Sequence, residues 1–174
     1  MDHLHRLAQP SARFDGDTGE ADPITRRAIA DVRDHTGYIR ALVALCTSRL
    51  LMPVVASGDE TMHQDPDREA ELAAVPITDG QDTALLAFTG IDSMKAWQAD
   101  ARPILCHLDE LAATVNPAGA NQLLVDVAGP VPFVLSGEAL RLVAEGFRAV
   151  EFEGEEFAWV KYGEEPSDLA EQGQ

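Results

Sequence analysis

Two glycines in the stretch LLVDVAGPVPFVLSGEAL raise the question of a phosphate-binding loop. Gly129 follows one apolar run and Gly137 follows the next. A phosphate loop needs a strand, then glycines whose backbone N–H groups face the anion, then the N-terminus of a helix. Pro130 has no N–H and leads into another strand, while Glu138 already places a negative charge in the first turn of the next helix. Both glycines are therefore predicted to turn the chain.

Cys106 and His107 place a thiol beside an imidazole, the pair of groups used in thiolate catalysis. Neighbouring residues of a strand point to opposite faces, so the imidazole is predicted to face away from the sulfur. Cys106 is therefore interpreted as a buried hydrophobic side chain, and so is Cys46 on its helix stripe. Two cysteines do not make the dense pattern of a secreted disulfide scaffold, so both are expected to be reduced.

The polar segment 57–69 carries oxygen ligands and one imidazole that suit a hard divalent cation. These candidate ligands are Asp59, Glu60, His63, Asp65 and Asp67. The segment lacks the central glycine and the terminal glutamate of a calcium loop, so it is interpreted as a solvated loop with cation binding as the alternative. His3 and His5 are weaker candidates, because unordered ligands lose chain entropy on binding. No metal or other cofactor is expected.

An apolar stripe before residue 50 predicts helices. Asp22 followed by Pro23 is typical of a helix start, because aspartate caps free N–H groups and proline fits the first turn. Apolar residues then recur at helical spacing; they are Ala28, Val32, Ile39, Val43 and Cys46. Gly37 interrupts the stripe and costs about 1 kcal/mol relative to alanine inside a helix. Two shorter helices joined at DHTG are therefore predicted.

Short apolar runs separated by turn residues predict strands. In chain order they are LLMPVVA, ELAAVPIT, TALLAFTG, PILCH and the runs on either side of Gly129. Asp79-Gly80 between the second and third runs predicts a β-hairpin, because this dipeptide adopts the positive φ angles of a tight turn. Pro53 and Pro76 fall inside two of the runs, so strand edges or bulges are predicted there.

Helices are predicted between the later strands. Thr89 is expected to cap a helix through DSMKAW, with Asp92 completing a capping box, and LDELAATV and GEALRLVAEGF predict two more helices. The element order predicts an α/β (α+β) fold. It is expected as a single domain with a small mixed β-sheet of about five to six strands and helices packed on it.

The stretch AVEFEGEEFAWVKYG alternates apolar and acidic residues. Its aromatic residues are Phe152, Phe157, Trp159 and Tyr162. A strand pair at the sheet edge is predicted, with an acidic-aromatic peptide that binds a partner as the alternative. Residues 163–174 are predicted to be a disordered acidic tail, and residues 1–21 a flexible lead-in.

The formal net charge of −17 excludes some partners. Between Glu151 and Gln174 eight acidic residues stand against one lysine. Such a field repels nucleic acid and anionic lipid, so neither nucleic acid nor a membrane is an expected partner. The longest apolar run is too short to span a bilayer, and MDHLHRLAQP has no secretory signal pattern, so a cytoplasmic location is expected.

Four stretches together resemble the SseB family, specifically its N-terminal domain. They are RLLMPVVA, TALLAFTGIDSMKAW, ARPILCHLDELAATV and LLVDVAGPVPFVLSGEALRLVAEG. The resemblance covers residues 49–146, and the domain is predicted over residues 22–162. The family usually has Asp-Pro-x-Gly-Pro at the last turn, where this chain has Val127 in place of the first proline. The resemblance implies no reaction for any residue.

The sequence favours a non-enzymatic domain that acts through protein–protein contacts or as a homo-oligomer. The alternative is a small-molecule-binding or enzymatic domain with an unrecognised pocket. The candidate interaction and turn residues are Asp126, Gly129 and Pro130. Asp126 is expected to cap the turn or to face outward to a partner, and Gly129 is expected to adopt extended angles at positive φ.

Overall fold

The computed structural model describes residues 12–56, 72–74, 76–153 and 156–161. The candidate cation ligands of segment 57–69, His3, His5 and the predicted tail at 163–174 lie outside the described residues. None of the helices in the described ranges is long and apolar enough to cross a membrane.

Two α-helices precede the first strand, as predicted, after a short 3₁₀ helix at Ala12–Phe14, but their junction is at residues 31–34 and Gly37 lies inside the second α-helix. Helix α1 spans Pro23–Ala30, and the Asp22 carboxylate accepts hydrogen bonds from the N–H groups of Ile24 and Thr25, so the predicted cap is confirmed. Helix α2 spans His35–Thr47 and is capped by Asp34, which accepts from the N–H of Gly37 at 2.8 Å.

The remaining elements are strands with helices placed between some of them, which confirms the mixed α/β fold. In chain order they are β1 (Arg49–Ala56), β2 (Leu72–Ala74), β3 (Pro76–Asp79), β4 (Asp82–Ala87), α3 (Ile91–Trp97), β5 (Arg102–His107), α4 (Leu108–Val115), β6 (Gln122–Val125), β7 (Phe133–Ser136), α5 (Gly137–Ala144), β8 (Phe147–Phe152) and β9 (Glu156–Lys161).

The strands divide among three sheets instead of the one predicted. Their orders are β2-β1-β5, β3-β4-β6-β7 and β8-β9, and within the second sheet β4 and β6 are parallel. Leu51 and Phe88 exchange two backbone hydrogen bonds of 2.8 Å, and this single bridge joins the first two sheets. Pro53 explains why the bridge does not continue. Its nitrogen lies on the same edge of β1 as that of Leu51 and carries no hydrogen.

The position of Pro53 differs from the prediction of an edge or bulge. It lies in β1, the central strand of its sheet, opposite Pro103 of β5. Backbone groups of successive residues in a strand face alternate edges, and those of Leu51 and Pro53 face away from β5. Pro53 and Pro103 therefore form a non-hydrogen-bonded pair, and neither proline interrupts the β1–β5 ladder. Pro76 starts the edge strand β3, as strand prolines usually do.

The core has two parts, one on each face of the strands. The larger part packs α1, α2, α4 and α5 against one face, and the smaller part packs α3 against the other. Leu50 and Met52 belong to the larger part, and Leu51 between them belongs to the smaller part. Burial on both faces accounts for the continuous apolar run of β1.

Both predicted hairpins form, each with a difference. In β3–β4, Asp79 pairs with Asp82, so Gly80 and Gln81 make the turn, and Gly80 has φ 62°. The turn therefore lies one residue later than Asp79-Gly80. Strands β8 and β9 pair as predicted, but they form their own sheet on α2 and α5 instead of extending the edge of the main sheet.

The described part of the predicted lead-in, residues 12–21, contacts the rest of the domain. The ring of Phe14 lies 5.1 Å from that of His107, and Arg13 pairs with Glu110 at 2.6 Å. The backbone carbonyl of Gly19 accepts a hydrogen bond from the N–H of Ile91. This part of the chain therefore packs on the domain.

Candidate functional site

Asp126 lies where the parallel strands β4 and β6 both end at their carboxyl ends. Ligands of open α/β sheets commonly bind at such a crevice. The Asp126 N–H donates to the carbonyl of Ala87, the last residue of β4, and the Asp126 residue is only 4% exposed. The Asp126 side chain therefore faces inward, and of the two predicted alternatives the structure does not show the one in which it faces outward.

The Asp126 carboxylate is held by groups at the start of α3. It accepts hydrogen bonds from the Thr89 N–H at 2.9 Å, the Thr89 hydroxyl at 2.5 Å and the Ser93 hydroxyl at 2.7 Å. Asp126 also has φ 55°, the sole positive φ of a non-glycine residue in the described ranges. Such a conformation persists when the surroundings over-determine it, and these hydrogen bonds do so.

Thr89 extends this network to the protein surface and does not cap α3 as predicted. Its hydroxyl accepts from Arg26 Nε at 3.0 Å, and the Arg26 guanidinium forms a bidentate pair with Asp92 at 2.5 and 2.6 Å. The hydrogen bonds from Arg26 hold the pKa of Asp92 below its ordinary value. Asp92 therefore pairs with α1 instead of completing a capping box.

Residues 17–22, which we call the strap, cap α3 in place of Thr89. Gly90 is the N-cap residue of α3, and the N–H of Ile91 donates to the carbonyl of Gly19 at 2.7 Å. A Cβ at Gly90 would lie 2.8 Å from the Ala21 Cβ and 2.6 Å from an Asp92 carboxylate oxygen. Glycine is therefore needed at position 90 because the strap approaches so closely.

Arg49 fastens the strap to the strands. Its guanidinium donates to the Asp17 carboxylate at 2.8 and 3.0 Å, to the Glu20 carbonyl at 2.5 Å and to the Thr89 carbonyl at 3.1 Å. Burial raises the pKa of Asp17, but the hydrogen bonds from Arg49 and Gly19 outweigh it and hold that pKa below its ordinary value.

An open depression of about 430 Å³ lies beside the strap. It is lined by Asp17, Glu20, Ala21, Asp22, Thr47, Ser48 and Arg49. Several of its polar groups already bond to the protein: Asp17 pairs with Arg49, and Asp22 and Ser48 both bond Thr25. Within the described ranges, no three His, Cys, Asp or Glu side chains form a group that could hold a metal ion.

The turn after β6 is built differently from the sequence expectation. The Gly129 N–H donates to the Asp126 carbonyl at 2.8 Å, and Asp126, not Gly129, has the positive φ. A Cβ at Gly129 would lie 3.0 Å from the Asp126 Cβ and 3.1 Å from its carbonyl oxygen. Gly129 is thus required by close approach and not by its φ. Pro130 is exposed in the same turn.

Cys46 and Cys106 are free and buried, as predicted. Burial raises the pKa of both thiols. The Cys106 sulfur lies 3.8 Å from the Leu50 carbonyl oxygen, whereas the His107 ring packs against Phe14. The arrangement lacks the thiol–base contact that nucleophilic catalysis needs.

The hairpin β8–β9 carries an exposed apolar face that the sequence reasoning missed. The strand register places six residues on this outer face: Arg148, Val150, Phe152, Glu156, Ala158 and Val160. Phe152 is 54% exposed and Val160 46% exposed. The period-2 alternation was visible in the sequence, but which face it buries was not. Among described residues the other exposed large hydrophobic side chains are Ile24 and Val134, on α1 and β7.

The fold and the buried polar network define a small mixed α/β domain whose strand ends are tied together by side-chain hydrogen bonds. The chain belongs to the SseB family: the SseB protein N-terminal domain matches residues 26–142. This match confirms the predicted resemblance over residues 49–142 and extends it through α2 and part of α1. No curated protein and no solved structure matches the chain.

Proposed function

We propose that this chain is a cytoplasmic, non-enzymatic domain that binds a protein partner through the outer face of the β8–β9 hairpin. The observation that carries this proposal is the grouping of four apolar side chains on one face, of which Phe152 and Val160 are exposed and Val150 and Ala158 are half-buried. Grouped exposed apolar side chains are typical of interaction surfaces, and aromatic residues are frequent energetic centres of them.

The opposite face of the hairpin supports the proposal because it fixes the hairpin in place. Ala149 is buried in the core and Trp159, its cross-strand partner, packs against the same core. The Glu151 carboxylate accepts a 2.9 Å hydrogen bond from Arg40 on α2. A face held on a rigid support loses little conformational entropy when a partner binds.

The groups with catalytic potential are engaged within the protein, which favours binding over catalysis. The Asp126 carboxylate accepts hydrogen bonds from Thr89 and Ser93, and burial keeps the thiols of Cys46 and Cys106 protonated. The alternative, a small-molecule-binding or enzymatic domain, would use the depression beside the strap. A ligand there would compete with the existing pair of Asp17 and Arg49.

Affinity capture with matched variants tests the proposal. The parent chain and the variants Phe152→Ser and Ile24→Ser are each immobilised on a resin and incubated with an extract of the source cells. The captured proteins are then quantified by mass spectrometry. Ile24 is the matched control because it is 73% exposed and lies on α1. We expect Phe152→Ser to lose a protein that the parent and Ile24→Ser both capture. Identical capture by all three proteins would contradict the proposal, and sedimentation shows whether the partner is a second copy.

A further inference from the structure

We infer that the partner of the outer face is a basic protein surface, one that places lysine or arginine side chains around an apolar anchor. This inference rests on the proposed function and names the chemistry of the partner. The observation that carries it is the charge around Phe152. Glu156 lies directly opposite Phe152 in the β8–β9 register, and Glu153 follows at the end of β8; both glutamates are exposed.

The geometry joins the apolar contact to the charged one. Side chains of directly opposite residues in an antiparallel pair lie about 5 Å apart at Cβ. An apolar side chain that covers Phe152 therefore arrives beside the Glu156 carboxylate. A lysine or arginine next to that apolar side chain is attracted by the Glu156 carboxylate, whereas an acidic residue in the same place is repelled.

The outer face is also polarised along its length, which orients the partner. Glu153 and Glu156 lie near the hairpin tip beside Phe152, while the apolar Val160 lies at the opposite end. Basic residues of the partner are expected over the tip. A second copy of this chain is a poorer occupant, because two molecules of formal charge −17 repel each other.

A pair of synthetic peptides tests the inference on the whole purified chain. One peptide alternates phenylalanine or valine with lysine, and the other alternates the same apolar residues with glutamate; both are titrated by calorimetry. We expect only the lysine peptide to bind, with affinity that falls between about 50 and about 200 mM salt. Phe152→Ser should weaken this binding, as measured on protein shown to be folded by circular dichroism.

Charge reversal at the tip completes the test. Glu156→Lys should lower the affinity for the lysine peptide by about tenfold. The matched reversal Asp100→Lys, between α3 and β5, should change this affinity far less. Equal binding of both peptides, binding of neither, or equal effects of the two reversals would overturn the inference. Failure of the proposed function gives a different result from failure of this inference. In that case Phe152→Ser would capture the same proteins from the extract as the parent does.

Discussion

Thr89 binds Asp126 twice, with its backbone N–H at 2.9 Å and its hydroxyl at 2.5 Å. The two residues follow neighbouring parallel strands and are separated by 37 positions in the chain. Because the Thr89 hydroxyl also accepts from Arg26, one side chain links α1, the start of α3 and the turn after β6. This contact makes the crevice at the strand ends a structural joint of the domain.

Asp126→Ala is therefore expected to destabilise the domain by about 3 kcal/mol. The substitution leaves the Thr89 N–H and the Thr89 hydroxyl buried without their acceptor, and it places alanine at positive φ. Asp126→Asn should cost less, because asparagine tolerates this φ and keeps one acceptor oxygen. Urea unfolding measures both costs.

The matched control is Asp100→Ala, an exposed aspartate whose loss is expected to change stability by less than about 0.5 kcal/mol. If the two variants unfold at the same urea concentration, Asp126 is not the joint described above.

Gly129→Ala is expected to destabilise the domain by about 1 to 2 kcal/mol through crowding against Asp126. The new Cβ would lie 3.0 Å from the Asp126 Cβ, so the penalty should shrink when Asp126 is itself replaced by glycine. A double-mutant cycle with Asp126→Gly measures this coupling. A cycle without coupling would mean that the contact with the Asp126 side chain does not set the penalty, and would contradict this account.

Local rules explain which parts of the fold were predictable. The Asp22 cap and the β3–β4 hairpin depend on residues within one turn, and both form. The contact of Thr89 with Asp126 depends on which strands lie side by side, and single-sequence patterns carry no signal for that. A polar residue within two positions of the end of each of two buried strands was the available clue, and it becomes informative only once β4 and β6 are known to be parallel neighbours.

The division of the sheet and the position of the strap were unpredictable for a related reason. The sequence shows that Pro53 cannot donate to a ladder. Which strand lies along the edge of β1 that its nitrogen faces is decided by the Leu51–Phe88 bridge. The strap has little hydrophobic periodicity, and polar contacts such as Arg49 with Asp17 hold it. Contacts of this kind leave no apolar pattern in the sequence.

The pair of Asp17 and Arg49 predicts a pH-dependent difference between the parent and Asp17→Asn. The folded-state pKa of Asp17 is below its ordinary value, so the pair stabilises the fold above about pH 4. This contribution is lost as the pH falls through the depressed folded-state pKa. The difference in unfolding free energy should therefore be largest near neutral pH and should shrink on acidification. A difference that stays constant with pH would contradict this role for the carboxylate.

The two thiols are expected to resist alkylation in the folded protein. Burial raises the pKa of Cys46 and Cys106, and the thiolate is the reactive form. Mass spectrometry after iodoacetamide treatment should find both cysteines unmodified in the native protein and both alkylated in urea. Replacing both with alanine should lower stability modestly and leave partner capture intact. Rapid native-state labelling of either thiol would restore it as a candidate reactive group.

Photo-crosslinking from position 152 tests the central claim, that the outer face of the hairpin contacts a protein partner, most directly. A benzophenone side chain is incorporated in place of Phe152, and in a control protein in place of Ile24; each protein is irradiated in an extract of the source cells. The account predicts a crosslink to a discrete protein from position 152 that is absent from position 24. It would be contradicted if position 152 gave no crosslink, or only those also formed from position 24.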